Sequence, residues 1–242
     1  MPLLENHLPT LAQRQFVRGR KGLIRGQKRQ SISIQDETGK KLGEAISVDV
    51  DLAQQPSLIE LLTRWRQENR ESFLTQFTPT AKRTARWLQR YLEDDSRILY
   101  LIYEQEQPIG HYGFCNIHHG EAEGDNLLRG ENTHSRSLMF FAQVWIIRQA
   151  FLDLCVRSVY VRVLSNNSRG LRNSQRIGFE DSHLERLQQN DSGDELSLVP
   201  QGVTQASEVA AGEPTLTVSR LEQSGFFARH AWLPCATELR VA

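Results

Sequence analysis

The sequence predicts an α/β fold in which a mixed central sheet carries helices on both faces. Residues 97–103 and 108–117 are strand-like segments separated by a short turn, which indicates a β-hairpin. Residues 137–154 are largely apolar and suit a helix that is buried on most sides. Residues 158–164 alternate around valines and lead into a capped helix. A meander followed by strand–helix–strand units is typical of a mixed α/β sheet.

The remaining elements are assigned from the same kinds of pattern. Pro56 and Pro79 each stand where the first turn of a helix accepts proline, so a helix is expected to begin near each. A third helix is expected from Asn167 to Gly178, because asparagine caps helix starts and glycine ends helices. Further strands are expected at 45–51, 121–128, 184–187 and 215–221.

The chain is expected to comprise a tail, one folded domain and a second tail. Residues 1–42 contain a basic, glycine-containing run and are predicted to be a flexible tail. An arm that touches nucleic acid, lipid or a partner is the alternative for this run. Residues 43–225 form the predicted domain, with a polar loop at 188–213, and residues 226–242 form a C-terminal tail.

The amino-acid composition limits the classes of protein to which the chain can belong. In 242 residues, 39% hydrophobic and 24% charged residues indicate a globular chain, and a net charge of +0 gives no reason to expect a nucleic-acid partner. The start of the chain lacks a signal-peptide pattern. The most apolar stretch, 138–156, is too polar for a membrane span. A cytoplasmic protein is expected, with Cys115, Cys155 and Cys235 reduced or incidental.

A metal site is not expected, although His111, Cys115, His118 and His119 lie close in sequence. On a strand, residues four apart are separated by about 13 Å at roughly 3.3 Å per residue. Zinc ligands lie within about 2.3 Å of one ion, so His111 and Cys115 cannot share a metal on a regular strand.

Two segments resemble a known family. In the first, a strand leads to Asn167, then to Gly170, and an amphipathic helix closes with Gly178 and Phe179. In the second, residues 125–139 run from a predicted strand through an Arg- and Gly-containing loop into the long helix. The hairpin at 108–114, Pro-Ile-Gly-His-Tyr-Gly-Phe, adds a weaker likeness. These segments resemble the GNAT acetyltransferases.

The resemblance implies the GNAT acyl-CoA N-acyltransferase fold, with acetyl-CoA as co-substrate. In the family, the loop before the long helix presents backbone N–H groups to the CoA pyrophosphate, as helix N-termini do for anions. Asn132 stands where the family has a second glycine, and asparagine tolerates the left-handed conformation that such a loop would need. The implied cofactor-binding residues are Leu127, Leu128, Arg129, Gly130, Glu131, Asn132, Thr133, His134, Ser135 and Asn167.

The resemblance to the GNAT acetyltransferases also implies candidates for the catalytic residues. Acyl transfer needs a base for the amine, a donor for the oxyanion and a proton for the thiolate. Glu123 and Asp125 share one face of a regular strand and are the preferred bases, with exposed strand charges as the alternative. Ser174 falls where many family members carry an acidic tyrosine, and serine is a poor acid. Other base candidates are Glu121, His111, His118 and His119.

The acceptor is expected to be a primary amine of a small molecule, for which the sequence loosely resembles family members that act on amino sugars. Trp65, Phe77 and His111 are candidates for substrate binding, and core packing is the alternative for each. A catalytically inactive GNAT-fold module that binds acyl-CoA or a partner is the alternative function. A homodimer is one option for the oligomeric state.

Overall fold

The computed structural model of the chain describes residues 30–154, 156–210 and 212–234. These residues form ten strands and six α-helices. In chain order they are β1 (Ser31–Gln35), β2 (Lys41–Ser47), α1 (Val50–Ala53), α2 (Pro56–Glu68), β3 (Thr75–Phe77), α3 (Ala81–Glu93), β4 (Ile98–Glu104), β5 (Gln107–His118), β6 (Glu121–Arg129), α4 (Leu138–Asp153), β7 (Ser158–Leu164), α5 (Ser168–Ile177), β8 (Glu180–Asp191), β9 (Glu195–Thr204), β10 (Thr215–Glu222) and α6 (Gln223–Arg229).

The chain divides into two compact units, each assembled from separate segments. The described part of unit 1 comprises residues 30–48, Asp94–Val159 and residues 222–234. Unit 2 comprises Asp49–Glu93 and Tyr160–Leu221.

Unit 1 is built on the antiparallel strands β1, β2, β4, β5 and β6, adjacent in that order. Helix α4 packs on β1 and β2, and it is apolar on nearly every side, as expected for a buried helix. Its buried Arg148 donates from Nε and Nη2 to the carbonyl of Pro234, at 3.0 and 2.6 Å. Phe226 of α6 lies against Phe151 of α4, with ring centroids 5.2 Å apart. The core of this unit therefore includes the C-terminal segment.

In unit 2 the strands are ordered β7, β10, β8, β9 and β3. The pairs β10–β8, β8–β9 and β9–β3 are antiparallel. Helices α2 and α3 pack together, with Trp65 and Leu88 buried and the Thr63 hydroxyl donating to Thr84 Oγ1 at 2.7 Å. These contacts give the unit a core of its own.

The predicted α/β class is confirmed. The helices predicted to begin at Pro56 and near Pro79, the hairpin β4–β5, and the segments β6, α4, β7 and α5 all form close to the expected positions. These elements have strong apolar periodicity or capping residues, which is the information that a single sequence carries most directly.

The prediction of a tail up to residue 42 is wrong for its described part. Residues 31–35 form β1, and the first predicted strand, 45–51, lies instead at Lys41–Ser47. The buried positions of β2 are Gly43, Ala45 and Ser47, which are too small to give a clear apolar alternation. The basic run lies in residues 1–29, outside the described residues.

The polar loop predicted at 188–213 is also wrong for most of its length. Strand β8 extends to Asp191 and pairs with β9, which lies entirely inside the predicted loop. Pairing satisfies the backbone hydrogen bonds whatever the side chains are, so a polar sequence can still form a hairpin. The predicted tail 226–242 begins in α6, where Phe226 is fully buried; residues 235–242 are outside the described residues.

Candidate active site

Strand β6 carries a bulge in the middle of unit 1. Between the register pairs Gly113–Asp125 and His111–Leu128, β5 contributes one residue and β6 contributes two. Asn126, one of these two, has a left-handed backbone with φ of 53°. A bulge removes backbone groups from the ladder and redirects the neighbouring side chains. The bulge thus makes this part of β6 chemically distinct from a regular strand.

Asp125 stands directly before the bulge and is held by several donors. Its Oδ1 accepts from the backbone N–H of Asn126 at 2.8 Å, and its Oδ2 accepts from Asn126 Nδ2 at 2.6 Å. Arg97 approaches Oδ2 to 3.5 Å. Burial nevertheless raises the pKa of the Asp125 carboxyl above its usual range, against the opposing effect of Arg97. A carboxyl with a raised pKa is suited to accept a proton.

Glu123 lies two residues before Asp125 on the same strand. Its Oε2 accepts from Asn116 Nδ2 at 2.8 Å, and its charge contributes to the raised pKa of Asp125. Across the ladder from Glu123 is Cys115, whose thiol pKa is raised by burial and by both carboxylates. Cys115 is therefore a protonated thiol at neutral pH and not a nucleophile.

His111, predicted as a substrate-binding candidate, lies beneath the bulge. The side chain is buried, and its Nδ1 is 2.5 Å from the carbonyl oxygen of Asn126, so Nδ1 is the protonated nitrogen that donates. The structure therefore favours the alternative, a core histidine that holds the bulged backbone in place.

The strand continues into the loop through three predicted cofactor-binding residues. Leu127 is 43% exposed, Leu128 is buried, and Arg129 is exposed. The backbone N–H groups of Gly130 and Glu131 both donate to the carbonyl of Ile109, at 2.9 and 3.0 Å. The first two N–H groups of the loop therefore point back to β5.

The later part of the loop binds a carboxylate of the chain itself. The backbone N–H groups of His134 and Ser135 donate to Glu104 Oε2 and Oε1, at 2.8 and 2.9 Å. The Thr133 hydroxyl donates to the carbonyl of Ser135 at 2.9 Å. Glu104 was not predicted from the sequence as a loop contact, because it precedes His134 by thirty residues and lies at the predicted turn of the hairpin.

Asn132 is exposed and has no left-handed backbone. Among the described non-glycine residues, the left-handed positions are Gln105, Asn116, His119 and Asn126. The expectation that Asn132 turns the loop through that conformation is therefore wrong. The loop changes direction instead through its hydrogen bonds to Ile109 and Glu104.

In unit 2, Asn167 caps α5 as predicted: its Oδ1 accepts from the backbone N–H of Gly170 at 2.9 Å. Gly178 ends the helix with φ of 116°. Ser174 is buried, and its hydroxyl donates to the carbonyl of Gly170 at 3.1 Å. Its hydrogen is thus used inside the helix.

The two aromatic candidates for substrate binding differ in exposure. Trp65 is fully buried in α2 and is a core residue of unit 2, because no part of its ring reaches solvent. Phe77 is half-buried on β3, with the guanidinium carbons of Arg66 and Arg83 5.1 and 4.8 Å from its ring centre. Phe77 is the one of the two that a ligand can touch.

Within residues 30–154, 156–210 and 212–234, no group of three or more His, Cys, Asp or Glu side chains is arranged to hold a metal ion. None of the helices in these ranges combines the length and apolar character that crossing a membrane requires.

The α/β fold is similar to that of GNAT acetyltransferases of known structure. Similar solved structures include a probable GNAT acetyltransferase from Chromobacterium violaceum, at 17% identity, covering 93% of this chain and 96% of that one with a TM-score of 0.58. A GCN5-related N-acetyltransferase from Brucella melitensis is 16% identical over 86% of each chain, with a TM-score of 0.58.

A third similar structure is an acetyltransferase of Salmonella typhimurium that modifies the N-terminal serine of a ribosomal subunit protein. It is 12% identical and covers 80% of this chain and 99% of that one, with a TM-score of 0.59. At such identities the likeness establishes the fold. No protein-family model matches the sequence, and no curated protein matches it.

Proposed function

We propose that the protein is an acetyl-CoA-dependent N-acyltransferase that moves an acetyl group to a primary amine of a small molecule. The observation that carries the proposal is Asp125, a carboxyl of raised pKa beside the bulge of β6, in a GNAT-type fold. An amino sugar is one candidate acceptor. The proposal rests on the site as well as the fold, because one fold supports many activities.

The proposed site for acetyl-CoA includes the bulged strand and the loop that follows it. Leu127 offers an exposed apolar side chain next to the bulge. Helix α4 begins at Leu138; the preceding Ser137 makes no side-chain capping hydrogen bond, and the first turn has no acidic residue. The N–H of Leu138 donates to the carbonyl of Ser135 at 3.2 Å, and the positive end of the helix dipole favours a phosphate at this helix start. Residues 127–135 are the proposed contacts to the co-substrate.

Asp125 is the proposed general base of the transfer. Asp125 accepts the proton that the ammonium form of the acceptor releases. The amine nitrogen then attacks the thioester carbon, the new C–N bond forms, the nitrogen releases its second proton to solvent, and the C–S bond breaks. A backbone N–H of the bulged segment other than that of Asn126, which donates to Asp125, is assigned to the developing oxyanion. Glu123 is the second candidate for the base.

Ser174 has no proton to give in this scheme, because its hydroxyl donates to the carbonyl of Gly170. The leaving thiolate is instead protonated by solvent. A thiol has an ordinary pKa of about 8.5, so its thiolate is a tolerable leaving group near neutral pH.

A transfer assay tests the proposed function. The protein is incubated with acetyl-CoA and a panel of primary amines that includes amino sugars, and mass spectrometry detects acetylated products while free thiol is measured. We expect an acetylated amine with stoichiometric thiol release, and a strong reduction in Asp125→Asn. Hydrolysis of acetyl-CoA without any acetylated amine across a broad panel would contradict the proposal.

The second candidate function is a GNAT-fold module that binds acyl-CoA or a partner without turnover. Two observations favour it: the engaged hydroxyl of Ser174 and the carboxylate of Glu104 on the loop. It predicts saturable acetyl-CoA binding with no product from any amine, whereas the enzyme predicts both binding and product.

A further inference from the structure

The carboxylate of Glu104 binds the loop before α4 in the manner of an anionic ligand. Each of its two oxygens accepts one hydrogen bond, from the adjacent backbone N–H groups of His134 and Ser135, at 2.8 and 2.9 Å. Glu104 is the last residue of β4, and Gln105 follows it with a left-handed backbone. Hydrogen bonds to an ionised carboxylate are about twice as strong as those between neutral groups.

The backbone N–H groups of His134 and Ser135 differ from the earlier N–H groups of the loop in what holds them. The N–H groups of Gly130 and Glu131, earlier in the same loop, are held by the carbonyl of Ile109. That carbonyl belongs to β5, so a ligand cannot recover these donors without opening the sheet. The donors that an incoming anion can recover by moving one side chain are those of His134 and Ser135.

We propose that Glu104 is an internal competitor for the phosphates of acetyl-CoA, and that its carboxylate must leave the N–H groups of His134 and Ser135 before the pyrophosphate binds them. The proposal rests on the proposed function for the nature of the ligand. Like charges repel, so the carboxylate and a phosphate do not share this pair of donors. The apparent affinity for CoA is then reduced by the fraction of molecules in which Glu104 holds the loop.

A purely supporting role of Glu104 makes the opposite prediction. If the carboxylate only keeps the loop in its binding shape, its removal loosens the loop and weakens the binding of every phosphate-containing ligand. The sign of the change in affinity therefore separates competition from support.

The test compares three proteins by calorimetry: the wild type, Glu104→Gln and Glu106→Gln. The first substitution removes the charge but keeps the size and one carbonyl oxygen of the side chain. Glu106 is an exposed glutamate two residues further on and is the matched control. Each protein is titrated with acetyl-CoA, with S-acetylpantetheine, which has the same thioester arm without a pyrophosphate, and with inorganic pyrophosphate.

We expect Glu104→Gln to bind acetyl-CoA about tenfold more tightly than the wild type, as for the loss of one charge-assisted competing contact. Its affinity for S-acetylpantetheine should stay within about twofold, and so should every affinity of Glu106→Gln. In NMR spectra of Glu104→Gln, pyrophosphate should shift the amide signals of His134 and Ser135.

Unchanged or weaker binding of both acetyl-CoA and pyrophosphate by Glu104→Gln, with its thermal unfolding midpoint preserved, overturns the inference. If no protein binds acetyl-CoA but Glu104→Gln gains pyrophosphate binding at His134 and Ser135, the proposed function fails and the competition by Glu104 stands. If the wild type binds acetyl-CoA and Glu104→Gln binds it no better, the competition fails and the proposed function is unaffected.

Discussion

At the residue scale, Asp125 links the structure to the proposed reaction. Its carboxyl accepts hydrogen bonds from Asn126, lies 3.5 Å from Arg97, and still has a raised pKa because of burial. A base must lose its proton before it can act, so a raised pKa moves the acid limb of the rate profile to higher pH than for an exposed aspartate.

We expect Asp125→Asn to lower kcat by about 100-fold, the lower range for the loss of a general base. The variant should also lose the acid limb in the pH profile of kcat/KM. Glu123→Gln, which removes the neighbouring carboxylate, should keep that limb and shift it to lower pH, because Glu123 helps to raise the pKa of Asp125. An acid limb retained in Asp125→Asn would assign the base to another residue.

The pKa shifts of Asp125 and Asp94 give opposite pH dependences of stability. Desolvation raises the pKa of Asp94, but hydrogen bonds from Ser96 and Arg97 outweigh it and hold this pKa below the ordinary 3.8. Asp94 therefore stabilises the fold above pH 3.8, and this contribution is lost as the pH falls through its lowered pKa. For Asp125 the contribution is complete below pH 3.8 and is lost as the pH rises through its raised pKa.

Urea unfolding of the wild type, Asp94→Asn and Asp125→Asn from pH 3 to 7 checks these signs. As the pH rises, the free energy of unfolding of Asp125→Asn should increase relative to that of the wild type, by on the order of 1 kcal/mol. Over the same range, the free energy of unfolding of Asp94→Asn should decrease relative to that of the wild type. This change should be smaller than that of Asp125→Asn, because the Asp94 side chain is 41% exposed. Parallel pH curves for all three proteins would mean that neither shift exists.

The variant Ser174→Ala tests whether a residue of α5 supplies the catalytic acid. Because its hydroxyl donates to the carbonyl of Gly170 within the helix, we expect Ser174→Ala to change kcat by less than about twofold. A loss greater than about tenfold with an unchanged melting temperature would show that the hydroxyl leaves the helix and takes part in the reaction.

At the element scale, the start of α5 depends on a small residue at position 170. A Cβ atom there would lie 2.9 Å from both Asn167 Nδ2 and Val163 Cγ1, which would displace the capping side chain from the helix N-terminus. The Asn167 cap and Gly178 were predicted from sequence because both are local signals; the close approach of Val163 is a tertiary contact and was not.

We expect Gly170→Ala to lower the free energy of unfolding by about 1–3 kcal/mol through this crowding. Gly225→Ala is the matched control: Gly225 lies in the exposed part of α6, and a Cβ there would meet nothing within 4 Å. That substitution should be neutral or stabilising by up to about 1 kcal/mol, since alanine has the higher helix propensity. Equal effects of the two substitutions would contradict the crowding.

The hairpin β8–β9 and the hydrogen-bond partners of the loop before α4 could not be predicted from the sequence. The hairpin β8–β9 is polar along much of its length, and its apolar alternation is short, as at Leu196 and Leu198, so its pairing depends on tertiary neighbours such as β3 and β10. The loop before α4 was located from its resemblance, but its donors were not. Their partners, Ile109 and Glu104, come from distant parts of the sequence.

At the scale of the whole molecule, the sequence was sufficient for the fold class, because strand and helix patterns over residues 97–178 are strong and ordered as in the GNAT acetyltransferases. The sequence was insufficient to predict that the chain divides into two compact units, since both units are assembled from separate segments. Residues predicted to be tails contribute β1 and the last four residues of α6 to unit 1, where Ile34 and Phe226 are fully buried. Strand β1 does carry a short alternating pattern, with Ile32 and Ile34 buried, whereas α6 has one buried residue, Phe226, to mark it.

Calorimetric titration of the whole chain with acetyl-CoA tests the proposal that this fold uses acetyl-CoA. We expect saturable binding of one acetyl-CoA per chain. Ligand at about 100 times the dissociation constant should stabilise the protein by about 2.7 kcal/mol, seen as a higher melting temperature. Absence of both the binding heat and the thermal shift at millimolar acetyl-CoA, in the wild type and in Glu104→Gln alike, would contradict the proposal.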